Sequence, residues 1–157
     1  VWEVLRVGRR RAGPLDATPN DPRTPPLEAP ARAARVRDDY AAFGGSTEAH
    51  PISFLAERRT RAGMPTLAAL RTHPTGPVRI VGLVISRQRP MTAKGFVFLA
   101  LEDETGMANV VIRPDLFERQ RRVITSAVTL VVEGELERRH DVVNVIAKKF
   151  RRIGGQP

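Results

Sequence analysis

In the run Gly95–Leu101, Phe96 and Phe98 share one parity while Val97, Leu99 and Leu101 share the other. Strand side chains alternate between faces, so an aliphatic inner face leaves both phenylalanines looking outward. An outward ring is a stacking platform for a nucleobase, worth about 1–3 kcal/mol. The competing use for either ring is to pack beneath the preceding segment, residues 36–70. In the run Met107–Arg113, Asn109 and Arg113 carry the outward parity. An asparagine amide fits a base edge and an arginine fork fits a phosphate, although each alone also suits an ordinary solvated strand. Arg79 and Arg87 point away from Val78, Ile80 and Val84, provided no bulge intervenes. The stretch Arg89-Pro90-Met91-Thr92-Ala93-Lys94-Gly95 brings Arg89 and Lys94 beside the same face, and Arg138 and Arg139 occupy a later polar turn. Together these residues predict a basic groove with an aromatic floor. Its chemistry is to hold a polyanion.

Other clusters carry less. Glu102-Asp103-Glu104 has the residue type for acid–base or metal work. On a tight turn it reads as solvated, with Asp103 bonding its own backbone. His50, His73 and His140 fall on three separate connections without ligand spacing. The sequence has no cysteine, which excludes a disulfide scaffold, a Cys-ligated zinc and a thiol nucleophile. It has no Gly-rich phosphate loop, nucleophile elbow or paired-histidine helix motif. No cofactor or metal is expected, and nothing argues for catalysis.

The 157 residues carry 26 Lys+Arg against 17 Asp+Glu, a net charge of +9. Of the cations 23 are arginine, the better side chain for phosphate forks and base stacking, although a GC-rich genome produces the same bias. The excess divides evenly, +4 before Gly76 and +5 from it onward, so it is no basic tail on a neutral domain. Apolar runs fall far short of the ~20 residues of a spanning helix, and the N-terminus Val1-Trp2-Glu3-Val4 has neither an apolar signal core nor an initiator Met. The expectation is a cytoplasmic chain without membrane contact, and a piece of something longer.

Several elements must position the candidate residues. From Gly13 to Pro30 six prolines and almost no large apolar residue predict an extended linker. It isolates residues 1–12, with Trp2, Val4 and Leu5, as the tail of a missing upstream region. Residues 31–75 read as a helical connector. Ala31–Phe43 stops at Gly44-Gly45, Pro51 opens a segment that ends at Gly63, and Thr66 caps a short helix with Leu67 and Leu70. After His73-Pro74-Thr75-Gly76-Pro77 the apolar period changes from helical to alternating. Strands are expected at 78–85, 95–101, 107–113, 128–136 and 142–147, with a helix from Pro114 to Ile124. Order β-β-β-α-β-β, with the helix between strands three and four, predicts a mainly β chain built on a five-stranded OB-fold Greek-key barrel over 76–153. A four- or five-stranded sheet of another topology is the alternative.

The block from Arg87 to Asn109, followed by Arg113-Pro114-Asp115-Leu116-Phe117, resembles the C-terminal OB domain of bacterial error-prone C-family DNA polymerases, paralogues of the replicative polymerase III α subunit. Asp39-Tyr40, Gly44 and His50-Pro51 resemble the segment joining that family's tandem helix-hairpin-helix region to its OB domain, and Trp2 would end the hairpin region. The resemblance covers most of 36–153; Met91, where a small residue is expected, departs from it at the loop tip. It implies translesion DNA synthesis as the parent activity, performed by palm and fingers elements that do not stand in this sequence. It further implies that this part contacts single-stranded template or docks accessory proteins of mutagenesis. Leu99–Asp103 with Gly106 is also similar to the anticodon-binding OB domain of class II aminoacyl-tRNA synthetases, where the residues matching Phe98 and Asn109 contact bases. Three readings stand: a single-stranded nucleic-acid (DNA) binder, a protein-docking module using the barrel face or Glu133/Glu135/Glu137, and a tRNA-binding domain.

Overall fold

A computed structural model describes residues 30–139 and 142–153. The expected tail at 1–12, the linker short of Pro30, and the turn residues His140 and Asp141 lie outside the described residues.

The connector contains helix α1 (Arg32–Phe43), a 3₁₀ turn (Pro51–Leu55), helix α2 (Ala56–Arg61) and a second 3₁₀ turn (Ala68–Arg71). Gly44, in the left-handed region at φ 72°, ends α1 with its N–H on Tyr40 O at 3.1 Å, a conformation only glycine adopts without cost. The barrel strands are β1 (Gly76–Gln88), β2 (Val97–Asp103), β3 (Gly106–Ile112), β4 (Thr129–Arg139) and β5 (Val142–Arg152), with helix α3 (Pro114–Ser126) between β3 and β4. They close into a barrel in the order β1-β2-β3-β5-β4. The β3–β5 pair is parallel and the other four pairs are antiparallel. This is the OB-fold Greek key expected from the element order.

Strands β1 and β5 outrun the spans read from sequence periodicity. The β4–β5 ladder shifts register at Glu133/Gly134 and continues to Arg152. A Cβ on Gly134 would lie 2.5 Å from Ile146 O, so the crossing strand admits no larger residue there. The extension carries Phe150 into the core. Gln120, which departs from helical dihedrals inside α3, holds that end of β5 with a reciprocal amide pair: its Nε2 donates to Phe150 O at 3.1 Å, and its Oε1 accepts from Phe150 N at 2.9 Å.

Ile80, Leu99, Leu101, Ile112, Leu130 and Leu136 fill the barrel and are essentially inaccessible. Leu116, Phe117 and Ile124 of α3 enter this core after β3, and Leu67 and Leu70 of the connector enter it beside the β2–β3 turn. The connector also covers an outer face. Ile52 packs with Val81, Leu83 and Val131, bordered by Tyr40, Leu55, Met64 and Ile153. Burying one such aliphatic side chain is worth about 1.5–3 kcal/mol, so residues 31–75 are built onto the barrel.

The acidic turn differs from its sequence reading. Asp103 accepts from Thr105 N at 2.8 Å and Gly106 N at 3.1 Å, the local bonding expected. However, its side chain is buried, not solvated, and also accepts from Leu67 N at 2.8 Å and Arg59 Nη1 at 3.4 Å. Arg59 is itself buried and reaches Glu104 at 2.5 Å. That bond to Glu104 raises the guanidinium pKa further above its ordinary value, against the opposing effect of burial. A turn that appears self-contained in sequence is the clasp for a segment some 40 residues upstream.

Candidate nucleic-acid interface

The outer face of β2 is set by cross-strand register. Phe98 pairs with Val111 and Ala100 with Asn109 across β2–β3. Val111 pairs with Ile146 and Asn109 with Asn144 across β3–β5. On the other side Gln88 pairs with Phe98 and Ser86 with Ala100. Paired residues share a face, so two rows cross the sheet. One is Gln88-Phe98-Val111-Ile146 and the other is Ser86-Ala100-Asn109-Asn144. Ser86, Gln88, Phe98, Ala100, Asn109 and Asn144 line a cleft of about 300 Å³. Phe98 is 37% exposed in this cleft. The connector covers the β1–β4 side instead, and Phe96 is half-buried at the start of β2.

A β-bulge decides the place of Arg87. Register shifts between Val84 and Ser86, which exchanges the two faces of β1 from that point. Arg87 therefore lies opposite the core residue Leu99. Its guanidinium donates to Ile124 O at 2.9 Å and to Ala127 O, the carbonyls that end α3. Burial against the helix lowers its pKa from the ordinary arginine value. The same shift turns Gln88 outward beside Phe98.

The other expected cations divide into engaged and open. Arg79 is 3.8 Å from Glu133, which also pairs with Arg151 at 3.3 Å. Arg89 lies 5.0 Å over the Phe117 ring and 3.7 Å from Glu118. Arg138 donates to Arg71 O at 2.7 Å and His73 O at 3.0 Å, fastening the connector to β4. Lys94, Arg113 and Arg139 are exposed, with no ion pair among the described residues. Lys94 sits at φ 48° in the β1–β2 loop, and Arg113 is the N-cap of α3. The structure thus brings Phe98 and Asn109 together, adds Ser86, Gln88 and Asn144, and sends Arg79, Arg87, Arg89 and Arg138 to structural partners. The cleft floor is aromatic as expected, but its walls are neutral amides. Sequence reasoning missed Gln88 because the bulge hid its parity, and Asn144 because nothing local signals a parallel β3–β5 pairing. The acidic ladder is similarly occupied: Glu133 pairs as above, and Glu135 meets Lys148 at 2.6 Å.

Residues 78–153 match the family described as OB-fold nucleic acid binding domain. That match spans nearly all of the barrel. The chain around this OB domain is similar to error-prone DNA polymerases, in keeping with the resemblance read from its sequence. It is 45% identical to the enzyme of Azoarcus sp. (strain BH72) over 96% of this chain and 14% of the relative. It is 39% identical to that of Methylococcus capsulatus over 98% of this chain and 15% of the relative. It therefore spans about one seventh of the length of these proteins. Among solved structures, the chain is similar to an asparaginyl-tRNA synthetase from Pyrococcus horikoshii at TM-score 0.49 and 19% identity, over 57% of this chain and 22% of that one.

Proposed function

We propose that the open face of the OB domain holds single-stranded nucleic acid, with DNA template as the natural substrate given the similarity to error-prone DNA polymerases. The observation that carries this reading is Phe98, exposed in a cleft whose polar lining groups are three amides and a hydroxyl. A base stacks on the ring. The stacking accepts any base, and Gln88, Asn109 and Asn144 offer both donors and acceptors to its edge. Lys94, Arg113 and Arg139 are the open cations for the phosphates, whereas Arg87 and Arg138 are held by main-chain carbonyls and Arg79 and Arg89 lie beside carboxylates. In a polymerase of this kind such a face would keep template single-stranded and oriented during translesion synthesis.

Fluorescence anisotropy with a labelled single-stranded oligonucleotide tests the proposal. Binding is expected to weaken with salt with a log–log slope of about −0.7 per phosphate contact. Phe98→Ala is expected to weaken it by about 1–3 kcal/mol. No binding at low salt would overturn the reading. Preference for an RNA hairpin over single-stranded DNA would favour the tRNA-type alternative.

A further inference from the structure

The rows on the open face do not stop at Asn109. Continuing the parallel register by two residues sets Met107 of β3 beside Val142 of β5, and both are strongly exposed, at 65% and 52%. The face thus carries three rows: one with Phe98 beside Gln88, one with the amides Asn109 and Asn144, then one with Met107 and Val142, whose β2 member is Glu102. Successive rows are two residues apart along a strand, about 6.7 Å. Beyond the amide row lies a groove of about 580 Å³ lined by Leu70, Arg71, Met107, Asn109, Arg138 and Val142. Asn109 lines both this groove and the Phe98 cleft, so the two adjoin at that residue. The far wall is not barrel. It is the connector's second 3₁₀ turn, whose Arg71 side chain is exposed and has no ion pair among the described residues. Arg138 holds the backbone of that same residue through its carbonyl.

We propose that the connector completes the binding site: a second nucleotide of the strand lies past Asn109, its base on the Met107/Val142 shelf and its phosphate on Arg71. The proposal rests on the reading of the Phe98 cleft given above. The chemistry fits a strand that leaves the amide row. A polarizable thioether and a branched methyl pair offer an apolar contact to any base, and an arginine whose main chain is held beside the groove brings a fork within reach of a phosphate there. Arg138 acts as a positioning residue, setting where the main chain of Arg71 stands.

The test uses the full chain and a fluorescein-labelled oligothymidylate, with affinity measured across a salt series. Arg71→Ala is expected to reduce the steepness of the log–log salt dependence by about 0.7, the loss of one phosphate contact on a single strand. Met107→Ser is expected to weaken binding about three- to tenfold with that salt slope unchanged. Both side chains are exposed, and unchanged thermal melting would show that the variants stay folded. If the parent chain binds and Phe98→Ala weakens it, while Met107→Ser and Arg71→Ala match the parent in affinity and slope, this inference is overturned and the Phe98 reading stands. If the parent chain does not bind at low salt, both fall together.

Discussion

The barrel has two outer faces built from strands of similar composition, and they have opposite fates. On the β1–β4 side, Val81, Leu83 and Val131 lie under Ile52 of the connector, which is clasped again at the β2–β3 turn by the buried Arg59–Asp103 contact. On the β2–β3–β5 side, Phe98, Asn109 and Asn144 remain open to solvent in a neutral cleft. The connector's clasp spends its polar groups on itself: every bond of Asp103 given by the structure ends on protein. The open face keeps amides that have no side-chain hydrogen bonds among the described residues. Stability and recognition are separated on one small domain, and substitutions on the two sides should separate in the same way.

The largest effect is expected at the clasp. Asp103→Ala leaves the N–H groups of Leu67, Thr105 and Gly106 without their acceptor and Arg59 with Glu104 alone, and should cost about 3–5 kcal/mol in urea unfolding. Replacing both Asp103 and Arg59 by apolar residues should recover part of the loss. A change within about 0.5 kcal/mol for Asp103→Ala would mean the connector is not clasped to the barrel.

Arg138→Ala comes next. Loss of its bonds to Arg71 O and His73 O should lower stability by about 1–2 kcal/mol. The same substitution at Lys94 should leave stability within about 0.5 kcal/mol and reduce the salt slope of binding. The reverse pattern would place Arg138 among phosphate contacts and Lys94 among structural ones.

The smallest effect is one of pH. Hydrogen bonds from Arg35 and Arg119 hold the carboxyls of Glu48 and Asp115 below their ordinary range. A depressed folded-state pKa stabilises above the unfolded-state value and is lost as pH falls through the folded one. Thermal stability should therefore be flat through neutral pH and decline only below the ordinary carboxylate range. Glu48→Gln should make that decline shallower. Because these groups are solvent-exposed, the change should be small.

Much of the barrel is legible in the sequence because its signals are local. The alternation Val97/Leu99/Leu101 against Phe96/Phe98/Ala100, the turn at Asp103–Gly106 and Pro114 at the first helical position each act within a few residues of themselves. The outward placement of Phe98 and Asn109 follows from the same parity. What escapes is long-range. The bulge after Val84 re-aims Arg87 onto the end of α3 and turns Gln88 outward, and no residue near it announces the shift. Asp103 reads as a solvated turn because its partners Arg59 and Leu67 are 44 and 36 residues away. Arginine is equally ambiguous: the same fork that suits phosphate suits the carbonyls at a helix end, so counting cations overstates the charge facing a ligand.

The central claim is one of location, that the strand lies on the open face and not against the connector-covered side. Residue-resolved amide shifts, followed as a short oligothymidylate is added to the isotope-labelled chain, address it directly. The expected perturbations centre on Gln88, Phe98, Asn109 and Asn144, with Ile52, Val81, Leu83 and Val131 unmoved. Perturbations centred on Ile52 and Val81, with Phe98 and Asn109 silent, would contradict the account.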